Sequence, residues 1–143
     1  MSFSFKYKPV KLKSGRITRR PLIPFSLKGE LERLDFFGIL DTGYDITIIP
    51  KEIAEVLGIK YVGESEVYGL SGKKIESDIE YLDIIFGKER QVYDITIPVL
   101  VPKQEGGQII IGRMGFFEQF KITFCEEEQR MIFKKLKWQP KYN

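Results

Sequence analysis

From Pro21 to Phe133 the chain is built of apolar runs of strand length, each cut off by glycine, proline or a cluster of charges. Runs that short leave no room for long helices, and turn residues recurring between them are the mark of an all-β domain. PLIPFSL leads into Lys28-Gly29-Glu30 and LERLDFFGIL follows, which predicts a hairpin ending at Asp41. ITIIP is the next run. Pro50 then opens KEIAEVLG, the clearest helical piece, with Glu52 and Glu55 near its positive end and Gly58 as a C-cap. DIEYLDIIF and RQVYDITIPVLVP are expected to be strands joined by a turn at Gly87-Lys88, with KQEGGQ as the loop after them. QIIIG meets glycine, RMGFFEQF is expected to form one or two helical turns, and FKITF and RMIFKK make a last hairpin with Phe120, Ile122 and Phe124 on one face. A length of 143 residues is enough for one domain to bury a core without disulfides or metals.

The chemistry is narrowed by what the sequence lacks. It has no histidine and a single cysteine, Cys125. That removes Ser-His and Cys-His nucleophiles and any zinc site built on imidazole or on several thiolates. Asp, Glu, Lys, Tyr, Ser, Thr and backbone groups remain, and no cofactor or metal is expected. An unpaired cysteine fits a reducing, cytoplasmic setting. No apolar run approaches the roughly 20 residues that cross a bilayer, and none follows the basic N-terminus as a secretory signal would require.

The net charge of +3 conceals a division. Residues 1–20 carry seven Lys/Arg and no acid, and residues 134–143 carry four Lys and no acid; the stretch between has twelve basic and twenty acidic residues, a balance of −8. The expected organisation is a basic N-terminal arm over 1–20, a domain over 21–133 and a basic tail over 134–143. The ends read as solvated termini, the first also as an irregular edge strand. Phe3, Phe5, Tyr7 and Trp138 are too few among these cations to predict a nucleic-acid partner.

FGILDTGYD delivers a carboxylate, Asp41, from an apolar run straight into a turn. Two readings stand for such a string alone: a strand ending in ordinary Asp-Gly turn chemistry, or a catalytic carboxylate at the rim of a core. Two further segments bear on the choice. Ile110-Ile111-Gly112-Arg113 is a second apolar run meeting glycine, and Tyr68-Gly69-Leu70-Ser71-Gly72 lies between the two. In this order and spacing they resemble the retropepsin-type aspartic proteases, the single-domain class that includes the retroviral proteases and their cellular relatives, here in a prokaryotic or archaeal-like form. The likeness covers residues from about 21 to 133.

The resemblance implies an acid-protease β-barrel with one or two short helices, forming a C2 homodimer that hydrolyses peptide bonds in peptide or protein substrates. It implies that Asp41 is catalytic, with Thr42 and Gly43 in support. Gly43, Asp45 and a flap of Gly69, Leu70, Ser71 and Gly72 would face the substrate, while Gly112 and Arg113 are structural, Arg113 pairing with Asp45. The chemistry can be stated apart from the family. Without metal or nucleophile, one carboxyl must take a proton from water while another group protonates the carbonyl oxygen. Two carboxyls about 3 Å apart cannot both ionise, so they share a proton and divide these roles. The sequence has a single Asp-Thr-Gly, so the second carboxyl has to come from a second copy.

Other readings stay open. Asp45 and Arg113 are equally readable as ordinary surface charges, and Gly69–Gly72 as a plain glycine-rich hairpin turn. Tyr44 departs from the small residue usual after the glycine, which leaves substrate size open. The alternative to the enzyme is a catalytically silent retropepsin-like dimer acting as a peptide-binding or assembly module. An aspartyl-nucleophile phosphatase would need a second acid where Gly43 stands.

Overall fold

The computed structural model describes residues 1–59, 63–68 and 74–137, with the backbone alone considered at 63–68 and 74–79. In chain order the elements are β1 (Phe3–Lys6), β2 (Lys8–Lys11), β3 (Ile17–Arg20), β4 (Leu22–Lys28), β5 (Arg33–Leu40), β6 (Thr47–Ile48), α1 (Lys51–Leu57), β7 (Gly63–Tyr68), β8 (Lys74–Lys88), β9 (Gln91–Pro102), β10 (Ile110–Ile111), a 3-10 turn (Phe117–Gln119), β11 (Phe120–Cys125) and β12 (Arg130–Lys135).

Strands β4, β5, β10, β6, β9 and β8 are hydrogen-bonded in that order, and β8 returns to β4, closing a six-stranded barrel. Closure works because β8 is long. One of its edges pairs with β9 from Ser77 to Lys88, while the other takes β7 along Lys74–Ile79 and then β4 at Asp83–Ile85. A closed ring leaves few backbone groups on open edges. Its interior is filled by the period-2 positions that strands turn to one side: Ile23, Phe25 and Leu27 from β4, Leu82, Ile84 and Phe86 from β8, and Ile95, Ile97 and Val99 from β9, all buried. Helix α1 lies across the barrel through Ala54 and Leu57, and Gly58, in the left-handed conformation at φ 68°, closes it.

Against the barrel packs a second sheet, β1-β12-β11. The contact is a cluster of rings. Phe86 meets Phe133 edge-on at 4.9 Å, Phe3 stacks on Phe133 at 5.5 Å, and Phe116 lies 5.2 Å from both Phe86 and Phe120. Each such ring removed from water contributes about 1.5–3 kcal/mol.

Several expectations are sharpened or corrected. Of the two readings of the N-terminus, the edge strand and not the solvated arm describes residues 3–6: β1 pairs with β12 from Phe3↔Phe133 to Lys6↔Arg130 at the edge of its sheet, and Phe3 and Tyr7 are buried. Apolar rings alternating along Phe3-Ser4-Phe5 fit a half-buried strand, a pattern that the surrounding cations mask. At the other end β12 continues to Lys135, past residue 133, and 138–143 lie outside the described residues. The turn expected at Gly87-Lys88 falls at Glu89-Arg90 instead, because the ladder continues through Gly87↔Val92 and Lys88↔Gln91. On β11 the apolar face fades outward: Phe120 is buried, Ile122 half-buried and Phe124 exposed. The helical turns expected in RMGFFEQF reduce to the 3-10 turn at Phe117–Gln119.

Candidate active site

The two apolar runs that meet glycine lie side by side. β10 runs parallel to β5, Ile110 beside Ile39 and Ile111 beside Leu40. The ladder continues one residue further, where the Asp41 N–H donates to the Ile111 carbonyl at 3.0 Å. Asp41 is therefore the first residue beyond the barrel wall, its backbone still held by the wall and its side chain half-buried at the rim.

The turn that follows is held from several sides. The Asp41 carboxylate accepts the Gly43 N–H at 2.8 Å through Oδ1, and a Cβ on Gly43 would stand 3.1 Å from that same oxygen. Oδ2 has no hydrogen-bond partner among the described residues. The Arg113 N–H donates to the Tyr44 carbonyl at 2.9 Å and the Met114 N–H to the Asp45 carbonyl at 2.7 Å. These bonds tie the Asp41 turn to the segment after β10, so the two motifs form one structural unit.

Gly112 is where they approach most closely. A Cβ there would lie 2.5 Å from the Ile46 carbonyl carbon and 2.7 Å from its oxygen, so no other residue fits without moving backbone. Its N–H donates to Thr47 Oγ1 at 3.1 Å, and Thr47 is fully buried.

No family model matches the chain, and no curated protein is similar to it in sequence. Solved structures are. A retropepsin-like aspartic protease from Rickettsia conorii superposes with a TM-score of 0.60 at 17% identity, over 92% of this chain and 98% of that one. EIAV protease complexed with the inhibitor HBY-793 superposes with a TM-score of 0.52 at 19% identity, over 73% of this chain and 88% of that one.

The fold is retropepsin-like.

Within this retropepsin-like barrel the sequence candidates fall into three groups. Asp41, Thr42, Gly43, Asp45, Gly112 and Arg113 come together at the rim. Thr42, Gly43 and Asp45 are exposed, and Asp45 Oδ1 accepts from the Arg113 guanidinium at 2.5 Å. Both partners of that ion pair are largely in solvent, 59% and 73% exposed, so its contribution is about 0–1 kcal/mol. It caps the backbone bonds described above rather than replacing them. Gly69, Leu70, Ser71 and Gly72 lie outside the described residues; the strands on either side, β7 and β8, pair antiparallel up to Tyr68↔Lys74. Among the described residues no group of three or more carboxylates or thiols gathers to hold a metal ion, and no helix is long and apolar enough to cross a membrane.

Thr47 is the site residue that sequence reasoning passed over. Its signal was present: a lone hydroxyl inside the apolar run ITII has to find a partner once buried, and it finds the Gly112 N–H. That bond links the chain just after the Asp41 turn to the second motif.

Proposed function

We propose that the protein is an aspartic endopeptidase, active as a C2 homodimer in which the Asp41 carboxyls of two copies share one proton. The observation that carries this reading is the placement of Asp41. Its backbone is fixed to Ile111 and one carboxylate oxygen is held by the Gly43 N–H, while the other has no hydrogen-bond partner among the described residues and stands at the rim. A carboxylate so positioned can meet its twin across a two-fold axis. At about 3 Å the pair binds one proton between them, and the apparent pKa values belong to the pair. The ionised member removes a proton from water as the oxygen attacks the peptide carbonyl; the protonated member delivers its proton to the carbonyl oxygen. The proton taken from water then passes from its carboxyl to the leaving nitrogen as the C–N bond breaks, and a hydroxyl of the tetrahedral intermediate returns a proton to the other carboxylate.

In this dimer Thr42, exposed in the single chain, lies between the two turns and hydrogen-bonds across them. Gly43 keeps side-chain bulk away from Asp41 Oδ1, and Asp45 with Gly69–Gly72 borders the peptide. Gly112 and Arg113 hold the rim in shape. No cofactor takes part. The single Cys125, partly exposed and unpaired, suits the reducing cytoplasm, which we propose as the compartment.

The test is Asp41→Asn, assayed on unfolded protein substrates and peptides beside sedimentation of wild type and variant. Loss of cleavage by at least about 10²–10⁴-fold, with the dimer and its melting temperature retained, is the expected result. Cleavage that survives in the variant, or a wild-type chain that cleaves as a monomer, overturns the mechanism. Peptide binding with no cleavage under any condition would favour the silent binding module.

A further inference from the structure

We propose that the hairpin β2–β3 is a docking ribbon for duplex DNA, which it holds by the phosphates without reading the base sequence. The hairpin forms a two-stranded sheet of its own, hydrogen-bonded to neither the barrel nor the β1-β12-β11 sheet. Its register places Lys8 opposite Arg20, Pro9 opposite Arg19, Val10 opposite Thr18 and Lys11 opposite Ile17. Facing residues share a side and successive pairs alternate. Lys8 and Arg20 therefore project on one face, and Lys11 and Arg19 on the other. Lys13 and Arg16 add two cations at the tip.

Among the described residues none of these six cations is paired with a carboxylate. Lys8 has only the face of Phe37, at 4.3 Å. Like charges directly opposite each other, as in Lys8 and Arg20, destabilise a strand pair, and a two-stranded hairpin is marginal in water even without that cost. The face with Lys8 and Arg20 leans on the barrel, Val10, Thr18 and Arg20 being half-buried, while Lys11 and Arg19 on the other face and Lys13 and Arg16 at the tip are exposed, so an external polyanion can relieve the arrangement from the open face and the tip.

Shape and composition select among polyanions. A membrane surface wants one apolar face, and here each face carries cations. A protein partner is usually gripped by aromatic anchors in an interface depleted of lysine, and the ribbon has no aromatic residue. The major groove of B-form DNA, about 12 Å wide, admits the exposed tip of a two-stranded ribbon with its open face toward one wall of phosphate; the deep, narrow major groove of A-form RNA does not. The charge balance of −8 over residues 21–133 repels the same polyanion and so orients the molecule ribbon first.

The experiment titrates a short fluorescent DNA duplex with the full-length chain while salt rises from about 50 to about 200 mM. Binding should weaken steeply, with a log–log slope of about −0.9 for each phosphate contacted. Two double variants probe the ribbon: Lys13→Glu/Arg16→Glu at its exposed tip and Lys11→Glu/Arg19→Glu on its ladder. Each should lose on the order of tens-fold in affinity near 0.1 M salt and flatten the slope by nearly two units. Lys121→Glu, an exposed charge on β11, should leave the slope unchanged. The tip variant alters no side-chain contact of the fold, so it stays informative if the ladder variant misfolds. Absence of duplex binding at about 50 mM salt overturns the proposal, as does equal weakening by Lys121→Glu. Binding to phosphatidylserine vesicles but not to DNA would also overturn it, as would ribbon variants that abolish self-association while wild type ignores DNA.

Discussion

The rim that carries Asp41 and the hairpin β2–β3 present charge at the surface in opposite ways. At the rim one carboxylate stands on a backbone whose donors are spoken for: those of Asp41, Gly112, Arg113 and Met114 each have a partner, and Gly43 donates to the carboxylate itself. In the hairpin, cations project from a two-stranded ladder with no tertiary sheet partner. The difference is one of required precision. In the proposed dimer a carboxyl meeting its twin at about 3 Å would tolerate little displacement, and Asp41 sits where its backbone is fixed to the barrel wall. The proposed contact with a uniform row of phosphates would depend on charge number more than on position, so a ribbon outside both larger sheets would suffice.

The first way to break this contrast is at the root of the ribbon. Phe3 opens β1, the strand before the ribbon, and lies in the ring cluster with Phe86, Phe120 and Phe133. Phe3→Ala should destabilise the fold by about 3–5 kcal/mol, the range for a buried phenylalanine, read by urea denaturation. A change within about 0.5 kcal/mol, as for a surface site, would return residues 1–7 to the status of a solvated arm. The contrast would then begin at the wrong residue.

At the rim the prediction concerns backbone rather than side chain. Gly112→Ala places a methyl 2.5 Å from the Ile46 carbonyl carbon, a clash that no rotamer relieves. Overpacking of this kind costs about 1–3 kcal/mol. The larger consequence should be lost cleavage, because the displaced segment holds the Asp41 turn through Tyr44 and Asp45. A variant as active as wild type would mean that the second motif does not position the first. Thr47→Val tests the same link more gently. It leaves the buried Gly112 N–H without its acceptor at a cost of about 1–3 kcal/mol, and cleavage should fall less than in Gly112→Ala. Equal stability in a melting experiment would show that the bond carries no weight.

How far the sequence discloses each region follows from the same physics. The strands and the Asp41 turn were legible because their determinants are local: period-2 alternation, turn residues, and an acid followed two places on by glycine; the closing of the strands into a barrel was implied only by the family resemblance. The parallel contact of Ile39-Leu40 with Ile110-Ile111 was not, since no short-range rule pairs segments some 70 residues apart (the register numbers differ by that much). Thr47 escaped notice because a threonine in an apolar run also reads as an ordinary strand former. The N-terminus was left open between a solvated arm and an edge strand because its cations dominate its composition, whereas Phe3 and Tyr7 decide its position. Charge reports what a segment presents to solvent and says little about what lies beneath it.

The smallest expected effect tests how far the rim's rigidity extends. Before β10 the loop around Gly106 is tied to α1, the Gly106 N–H donating to Glu52 Oε1 at 2.8 Å. The Glu52 carboxyl is held below its ordinary 4.5, first by its own backbone N–H and then by that of Gly106. A pKa lowered on folding means that the folded chain gives up this proton more readily than the unfolded one. The tether is therefore fully present above pH 4.5 and is lost as pH falls through the lower folded value. Near neutral pH, Glu52→Gln should speed hydrogen exchange at the Gly106 amide relative to wild type, and the difference should vanish in acid. Cleavage should be unaffected, since the Asp41 turn is held by Ile111 of β10 and the residues after it and not by the loop before it. Identical exchange near neutral pH would remove the tether. A drop in cleavage would extend the rigid unit back along the loop to α1, making the rim one continuous support rather than a local clasp.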